Sequence, residues 1–311
     1  MVAALEIQGL AKSYPVGFWR KTFKPALQPL QLTVNEGETF GFLGPNGAGK
    51  TTTLKLLMGI IFPTAGAARI LGHDFRDPEI KRQIGFLPEQ PFFYDYLSAP
   101  ELLDYYAQLS GVSLDDRRKR IPALLEQVGL ADTGKLQLRK FSKGMLQRVG
   151  IAQAIVHEPA IVFLDEPMSG LDPLGRREIR ELIEGLKKEG KTVFFSTHIL
   201  SDAEALCDRV AVIHKGELRG LGVMEDLKSK SADEAEVVWQ GAHALAAVSS
   251  LVRESYVTGD VVRAVISSAQ TDLLLEKLRQ QRARLVSVTP LRGALEDYFL
   301  AHTSERQEAQ P

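Results

Sequence analysis

The sequence predicts an α/β fold with a mainly parallel sheet, joined to a smaller α+β domain. Three runs in the second half of the chain, "AIVFLDEP", "TVFFSTH" and "RVAVIHKGEL", are apolar and rich in β-branched or aromatic residues. Helical stretches separate them, "GRREIRELIEGLKKEG" and "ILSDAEALC". Strands that are apolar on both faces and alternate with helices indicate a parallel sheet that is covered on both sides.

The elements before these runs follow in chain order. Residues 1–40 contain three predicted strands, "ALEIQGL", "LQLTV" and "ETFGFLG", and the last enters a glycine-rich loop. The apolar periodicity after that loop predicts a helix. A mainly helical segment follows at about 91–157. Within it, Ser142 is a natural N-cap for the helix "GMLQRVGIAQAIV".

A change of composition near residue 220 predicts a domain boundary. The passage "KGELRGLGVMEDLKSKSADE" is rich in glycine and charge. We therefore expect one domain over 1–220 and a second over 221–311. In the second, "EAEVVWQ", "DVVRAVIS" and "ARLVSVTP" are predicted strands, "AQTDLLLEKLRQQ" a predicted helix, and "RGALEDYFLAH" a final helix.

Composition excludes several classes of protein. A net charge of −1 provides no overall attraction to nucleic acid, which is not expected as a partner. The single cysteine, Cys207, excludes an intramolecular disulfide and any zinc site built from cysteines. The apolar runs are much shorter than the ~20 residues that a membrane-spanning helix needs. The N-terminus lacks a signal-peptide pattern, so we expect a cytoplasmic location.

The glycine-rich loop "GPNGAGKTT" matches the pattern G-x-x-x-x-G-K-[ST] between a predicted strand and a predicted helix. Glycines let successive N–H groups surround an anion, a lysine reaches the β- and γ-phosphates of a nucleotide, and a hydroxyl can ligate Mg²⁺. A chance glycine-rich turn is the alternative, and the strand–loop–helix context disfavours it. The candidate phosphate-binding residues are Gly44, Pro45, Asn46, Gly47, Ala48, Gly49, Lys50, Thr51 and Thr52.

Polar residues follow three predicted strands, at the sheet edge where ligands of such folds bind. Asp165 is placed to hold Mg²⁺, and Glu166 to orient or deprotonate a water that attacks the γ-phosphate. His198 follows another buried strand and is a candidate for the same site. Gln90, after "IGFLPE", is a candidate to face Mg²⁺ or that water.

These motifs together resemble the nucleotide-binding subunit of ATP-binding-cassette (ABC) transporters over residues 4–220. The resemblance implies a P-loop NTPase cassette with an antiparallel N-terminal β part and a helical insertion. It implies ATP hydrolysis with ATP and Mg²⁺ as cofactors, Gln90 as the Q-loop residue and His198 as the switch histidine. It also implies a D-loop at "SGLD", with Ser169 and Asp172. Tyr14 would stack on adenine, and Phe18, Trp19 or Phe23 are the alternatives.

By the same resemblance, "FSKGM" corresponds to the signature sequence, usually L-S-G-G-Q, in which Ser142 and Gly144 match whereas Phe141, Lys143 and Met145 depart. The family places this motif against the nucleotide of a second subunit, so a homodimer with two shared sites is implied. Binding of ATP would close that dimer and hydrolysis would reopen it. Lys143 either adds charge near phosphate or extends along the surface into water.

The resemblance also implies a separate integral-membrane permease, with this chain peripheral on the inner face of the membrane. The variant signature looks like that of bacterial exporters. The aromatic passage "PFFYDYLSAPELLDYYAQL" is either core packing or a groove for the permease. The alternatives are a repair or ribosome-associated ATPase without transport, or a nucleotide-regulated scaffold. The second domain is expected to regulate or to help dimerisation.

Overall fold

The computed structural model describes residues 2–17, 22–231, 234–290, 295 and 298–299. The chain forms two units that meet in sequence between Gly222 and Val223. No helix in the described part of the chain is long and apolar enough to cross a membrane.

The first unit contains an antiparallel sheet, a mainly parallel sheet and the helices that pack on them. Its strands are β1 (Ala3–Val16), β2 (Thr22–Asn35), β3 (Thr39–Leu43), β4 (Ala65–Ile70), β5 (His73–Asp74), β6 (Ile84–Leu87), β7 (Ile161–Asp165), β8 (Thr192–Thr197), β9 (Arg209–His214) and β10 (Glu217–Val223). Its helices are α1 (Lys50–Leu57), α2 (Ala99–Leu109), α3 (Leu114–Gln127), α4 (Lys143–Ile155), α5 (Pro173–Lys188) and α6 (Leu200–Leu206).

The mainly parallel sheet has the strand order β10-β9-β3-β8-β7-β6. β3 pairs in parallel with β8 and β9, and β7 pairs in parallel with β6 and β8. Every residue of β3, β7 and β8 is buried, which agrees with their mainly apolar sequences, and the polar residues of these strands lie at the strand ends. The ring of Phe194 lies 5.5 Å from that of Phe40 and 5.6 Å from that of Phe163. These contacts between neighbouring strands fix the sheet edge that carries the site.

The N-terminal β part is antiparallel, as the resemblance implies. β1 pairs with both β2 and β4, in the sheet order β2-β1-β4-β5. Both β1 and β2 run 14 residues, longer than their apolar sequence runs, because their outer ends form an exposed hairpin.

The helical segment contains α2, α3 and α4. Ser98 and Glu101 form a reciprocal capping box at the start of α2. At the start of α4, the Ser142 hydroxyl accepts a hydrogen bond of 3.3 Å from the backbone N–H of Met145. Ser142 is therefore an N-cap, and the helix begins at Lys143.

The second unit is an antiparallel sheet with short helices, an α+β arrangement. Its strands, in the order β12-β13-β11-β14, are β11 (Glu234–Gln240), β12 (Val252–Thr258), β13 (Val261–Ser267) and β14 (Arg284–Pro290), and its helices are α7 (Met224–Ser231), α8 (Leu245–Val248) and α9 (Thr271–Gln280). Trp239 is fully buried in its core. The final helix predicted over 292–302 lies almost wholly outside the described residues.

Candidate functional site

The phosphate loop connects β3 to α1 and opens a cavity of about 360 Å³. Gly44 has no room for a side chain, since a Cβ there would lie 2.4 Å from the carbonyl oxygen of Ile213. Gly49 adopts φ +110, a left-handed conformation that favours glycine. The loop residues that line the cavity are Asn46, Gly47, Gly49, Lys50, Thr51 and Thr52, whereas Gly44, Pro45 and Ala48 form its supporting backbone.

Lys50 is buried and its ammonium group is held at three points. It donates to the carbonyl oxygens of Gly44 at 2.6 Å and Pro45 at 3.2 Å. Its Nζ also lies 3.0 Å from Oε1 of Glu166. This buried ion pair joins the loop to the end of β7, and Lys50 also lines the cavity.

Glu166 is positioned by an unusual backbone and by two side chains. Its φ is +49, which is uncommon for a residue with a side chain. Its N–H donates to the Ser196 hydroxyl at 3.0 Å, and its Oε2 lies 2.9 Å from Nδ1 of His198. Oε1 is buried and, although paired electrostatically with Lys50, has no hydrogen-bond partner among the described residues. This oxygen is occupied by the ion pair and becomes available to a water only when the Lys50 ammonium moves away.

Asp165 lies at the same sheet edge and is almost completely buried. Burial raises the pKa of its carboxyl group, and hydrogen bonds from the hydroxyls of Ser196 and Thr51 partly oppose that shift. The Ser196 hydroxyl lies 2.6 Å from Oδ1 of Asp165. The carboxylate, the Thr51 hydroxyl and the phosphate loop therefore meet in one place.

The structure brings Glu89, rather than its neighbour Gln90, to the cavity wall. Glu89 lines the cavity together with Glu166, and its charge contributes to the raised pKa of Asp165. Glu89 and Gln90 are both exposed residues, and Gln90 is not among those that line the cavity. Sequence reasoning overlooked Glu89 because both residues follow the same strand, and the sequence does not show which of them borders the cavity. The role of Gln90 stays a prediction.

Tyr14 lies on the β1–β2 hairpin, opposite Lys24. Tyr14 is 39% exposed, and Nζ of Lys12 lies 5.1 Å from the centroid of its ring. It does not line the cavity, which Ala26 of β2 does. Phe23 is 68% exposed on the same hairpin, while Phe18 and Trp19 lie outside the described residues. Which aromatic residue stacks on adenine stays open.

The signature residues lie at a different cavity from the phosphate loop. Ser142, Lys143 and Gly144 line it together with residues 170–172 and α5, and Met145 follows in the first turn of α4. Ser169 donates its N–H to the Glu166 carbonyl at 3.0 Å. Asp172 caps α5, since its Oδ1 accepts from the N–H of Gly175 at 2.7 Å. Within one chain, the signature does not reach the phosphate cavity.

A search of family models and of known proteins agrees with these features. A model for the ABC transporter family matches residues 27–169. The chain is 44% identical to an uncharacterized ABC transporter ATP-binding protein of Synechocystis, with 97% of this chain and 85% of that protein covered.

Two further matches come from a named transport protein and a solved structure. The bacitracin transport ATP-binding protein BcrA of Bacillus licheniformis is 47% identical over 61% of this chain and 62% of its own length. A dimeric ATP-binding cassette in a post-hydrolysis state with ADP and phosphate is 28% identical, with a TM-score of 0.64 over 71% of this chain and 98% of that one.

Proposed function

Because this chain belongs to the ATP-binding subunits of ABC transporters and hydrolyses ATP for transport, we propose that it is the motor of an exporter, working as a homodimer on a separate permease. The observation that carries this proposal is the ion pair of Lys50 with Glu166, inside the cavity formed by the phosphate loop. A phosphate-binding lysine and a carboxylate in contact can serve both binding and hydrolysis of a nucleotide.

The residues present fit Mg²⁺. The described residues include no group of three or more His, Cys, Asp or Glu side chains that could hold a metal ion alone. Mg²⁺ in nucleotide sites typically uses one or two protein ligands together with phosphate oxygens and waters. The Thr51 hydroxyl and the buried Asp165 carboxylate are such a donor set, with Gln90 or Glu89 beside them. When bound, Mg²⁺ neutralises charge on the β- and γ-phosphates.

In the proposed reaction, the N–H groups of the loop and Lys50 bind the β- and γ-phosphates. Glu166 accepts a hydrogen bond from the attacking water through Oε1 and orients it toward the γ-phosphorus. His198, 2.9 Å from Oε2, holds the other oxygen of the same carboxylate. When phosphate binds the Lys50 ammonium, the ion pair of Lys50 with Glu166 must loosen. The Glu166 carboxylate is then available to bind the attacking water.

We further propose that each site is shared between two subunits in a head-to-tail arrangement. The signature residues Ser142 and Gly144 line a cavity of their own, away from the phosphate loop of the same chain. A second subunit that places its signature over the loop would complete both sites. The dimeric cassette among the similar structures supports this arrangement.

Two features support a permease partner and export. Phe92, Tyr94, Tyr96 and Tyr105 are between 40% and 90% exposed, so they form an aromatic surface rather than core. The second unit is α+β, unlike the all-β extension typical of sugar importers. The relative named for bacitracin transport supports a transporter of this kind.

Purification from membranes tests the proposal. A tagged copy of the chain, extracted in mild detergent, should bring with it an integral-membrane protein in near-equal amount. Replacing Phe92 and Tyr96 with serine should reduce that amount, whereas replacing exposed Tyr256 of the second unit should not. Recovery of the chain without any integral protein would contradict transport and favour the nucleotide-regulated scaffold.

A further inference from the structure

Lys143 lies against the glycine of the D-loop in its own chain. A Cβ built on Gly170 would lie 2.2 Å from Nζ of Lys143 and 3.4 Å from its Cε. Gly170 also adopts φ +66, a left-handed conformation. The positive φ favours glycine at this position, and the short distance shows that the end of the Lys143 side chain occupies the space beside it. Lys143 is an exposed residue, and its ammonium group lies beside the D-loop of its own chain.

The turn that Lys143 contacts is short and leads directly to Glu166. The backbone N–H of Ser169 donates to the Glu166 carbonyl at 3.0 Å, and that of Leu171 donates to the Met168 carbonyl at 3.4 Å. The other end of the turn is fixed by the Asp172 cap on α5. Only three residues separate Gly170 from Glu166, so a displacement of Gly170 would act on the backbone of Glu166 over a short distance.

The charges around Lys143 suit this position. Asp172 and Glu178 line the same cavity as Lys143, together with Arg148. Arg148 lies 3.5 Å from a carboxylate oxygen of Glu178 and donates to the carbonyl oxygens of Val128 and Gly129. The Arg148 side chain is held by these contacts. Of the two cationic side chains that line this cavity, Lys143 is the one that lies beside Gly170.

We propose that Lys143 is a positioning residue that holds the D-loop, and through it Glu166, in register with the signature motif of the same chain. This proposal rests on the shared sites proposed above. In that dimer, Ser142 and Gly144 face the nucleotide of one site while Glu166 acts on the nucleotide of the other. Lys143 then connects capture of nucleotide at one site to the placement of Glu166 at the other.

Hydrogen–deuterium exchange of the full chain without nucleotide tests the contact directly. Lys143→Met should make the amides of residues 168–172 exchange severalfold faster than in the wild type, since the turn loses its support. Lys188→Met, which removes an exposed lysine at the other end of α5, is the matched control and should change nothing there. Unchanged exchange in the Lys143 variant would overturn the proposal. This readout needs neither ATP nor a dimer, so it is distinct from a failure of the shared site.

ATPase kinetics test the coupling. Lys143→Met and Gly170→Ala should each lower kcat by about three- to tenfold, with the KM for ATP changed by less than about twofold. The double variant should be no worse than the more affected single one, because both changes break the same contact. A raised KM in Lys143→Met, with multiplicative effects in the double variant, would mean that the lysine contacts phosphate and would contradict our assignment.

Discussion

Nζ of Lys50 lies 3.0 Å from Oε1 of Glu166, and neither side chain is more than 7% exposed. Two opposite charges that are buried together stabilise each other, and removal of one leaves the other buried without its partner. Phosphate groups of ATP compete with Glu166 for this lysine. Binding of nucleotide and release of the carboxylate are therefore linked through a single ion pair.

Glu166→Gln should retain ATP binding and lower the hydrolysis rate by about 10²- to 10⁴-fold, since the amide cannot act as a base. With hydrolysis blocked, the variant should accumulate as a closed dimer in ATP and Mg²⁺. Phosphate release, fluorescent-nucleotide binding and size-exclusion chromatography measure the three properties. Glu184→Gln, an exposed change on α5, is the control. Near-normal turnover of Glu166→Gln would show that another group activates the water.

The roles of Glu89 and Gln90 in Mg²⁺-dependent ATP binding can be distinguished by substituting each residue with alanine. Because Glu89 lines the cavity and acts electrostatically on Asp165, whereas Gln90 does not line it, Glu89→Ala should raise the Mg²⁺ concentration needed for tight ATP binding by about tenfold. Gln90→Ala should have the smaller effect. Titration of Mg²⁺ against fluorescent-nucleotide binding measures both. The reverse order would assign the Mg²⁺-facing role to Gln90.

Asp165→Asn should stabilise the protein at pH 7 in the absence of nucleotide and Mg²⁺. Burial raises the pKa of Asp165 above its ordinary value of 3.8, so the folded state holds the proton more tightly than the unfolded state. The wild type consequently loses stability as the pH rises from 3.8 through the higher pKa of the folded state. Asparagine has no such proton to lose, so the variant does not lose this stability. Urea unfolding at several pH values measures it. The advantage of Asp165→Asn should shrink as the pH falls toward 3.8, and a pH-independent difference would contradict the explanation.

Lys81 stabilises the helix that carries the phosphate loop. Its Nζ donates at 3.0 Å to the carbonyl oxygen of Met58, just past the end of α1, and at 2.8 Å to that of Phe75, just past β5; burial lowers its pKa. Lys81→Met should therefore cost about 2 kcal/mol in the free energy of unfolding. Lys55→Met removes an exposed lysine of the same helix and should cost much less. Equal losses in the two variants would exclude this capping role.

Much of this architecture could be predicted from the sequence. The buried strands β3, β7 and β8 are mainly apolar, and the sequence predicted all three. It also predicted the glycine-rich loop between a strand and a helix, which the structure places between β3 and α1. β12 was missed because its sequence, "VRESYVT", is polar and lies exposed at a sheet edge. The run "RVAVIHKGEL" predicts a single strand, but a turn at Lys215 and Gly216, both with positive φ, divides it into β9 and β10.

The site was less predictable in detail. The ion pair of Lys50 with Glu166, the place of Glu89 at the cavity and the contact of Lys143 with Gly170 depend on how distant segments pack. Local pattern carries no information on such contacts. Tyr14 illustrates the same limit, since its place on the hairpin follows from strand register rather than from the residues around it.

Complementation between two inactive variants tests the shared site most directly. Ser142→Arg disables the signature and Lys50→Ala the phosphate loop, so each homodimer should be inactive. In an equal mixture, each mixed dimer has one intact site, and about a quarter of wild-type ATPase activity should return, because half the dimers are mixed. Mixing Lys50→Ala with Glu166→Gln, which damage the same half of the site, should restore nothing. If the first mixture, with both chains folded and dimeric, also recovers no activity, the two subunits do not share their sites.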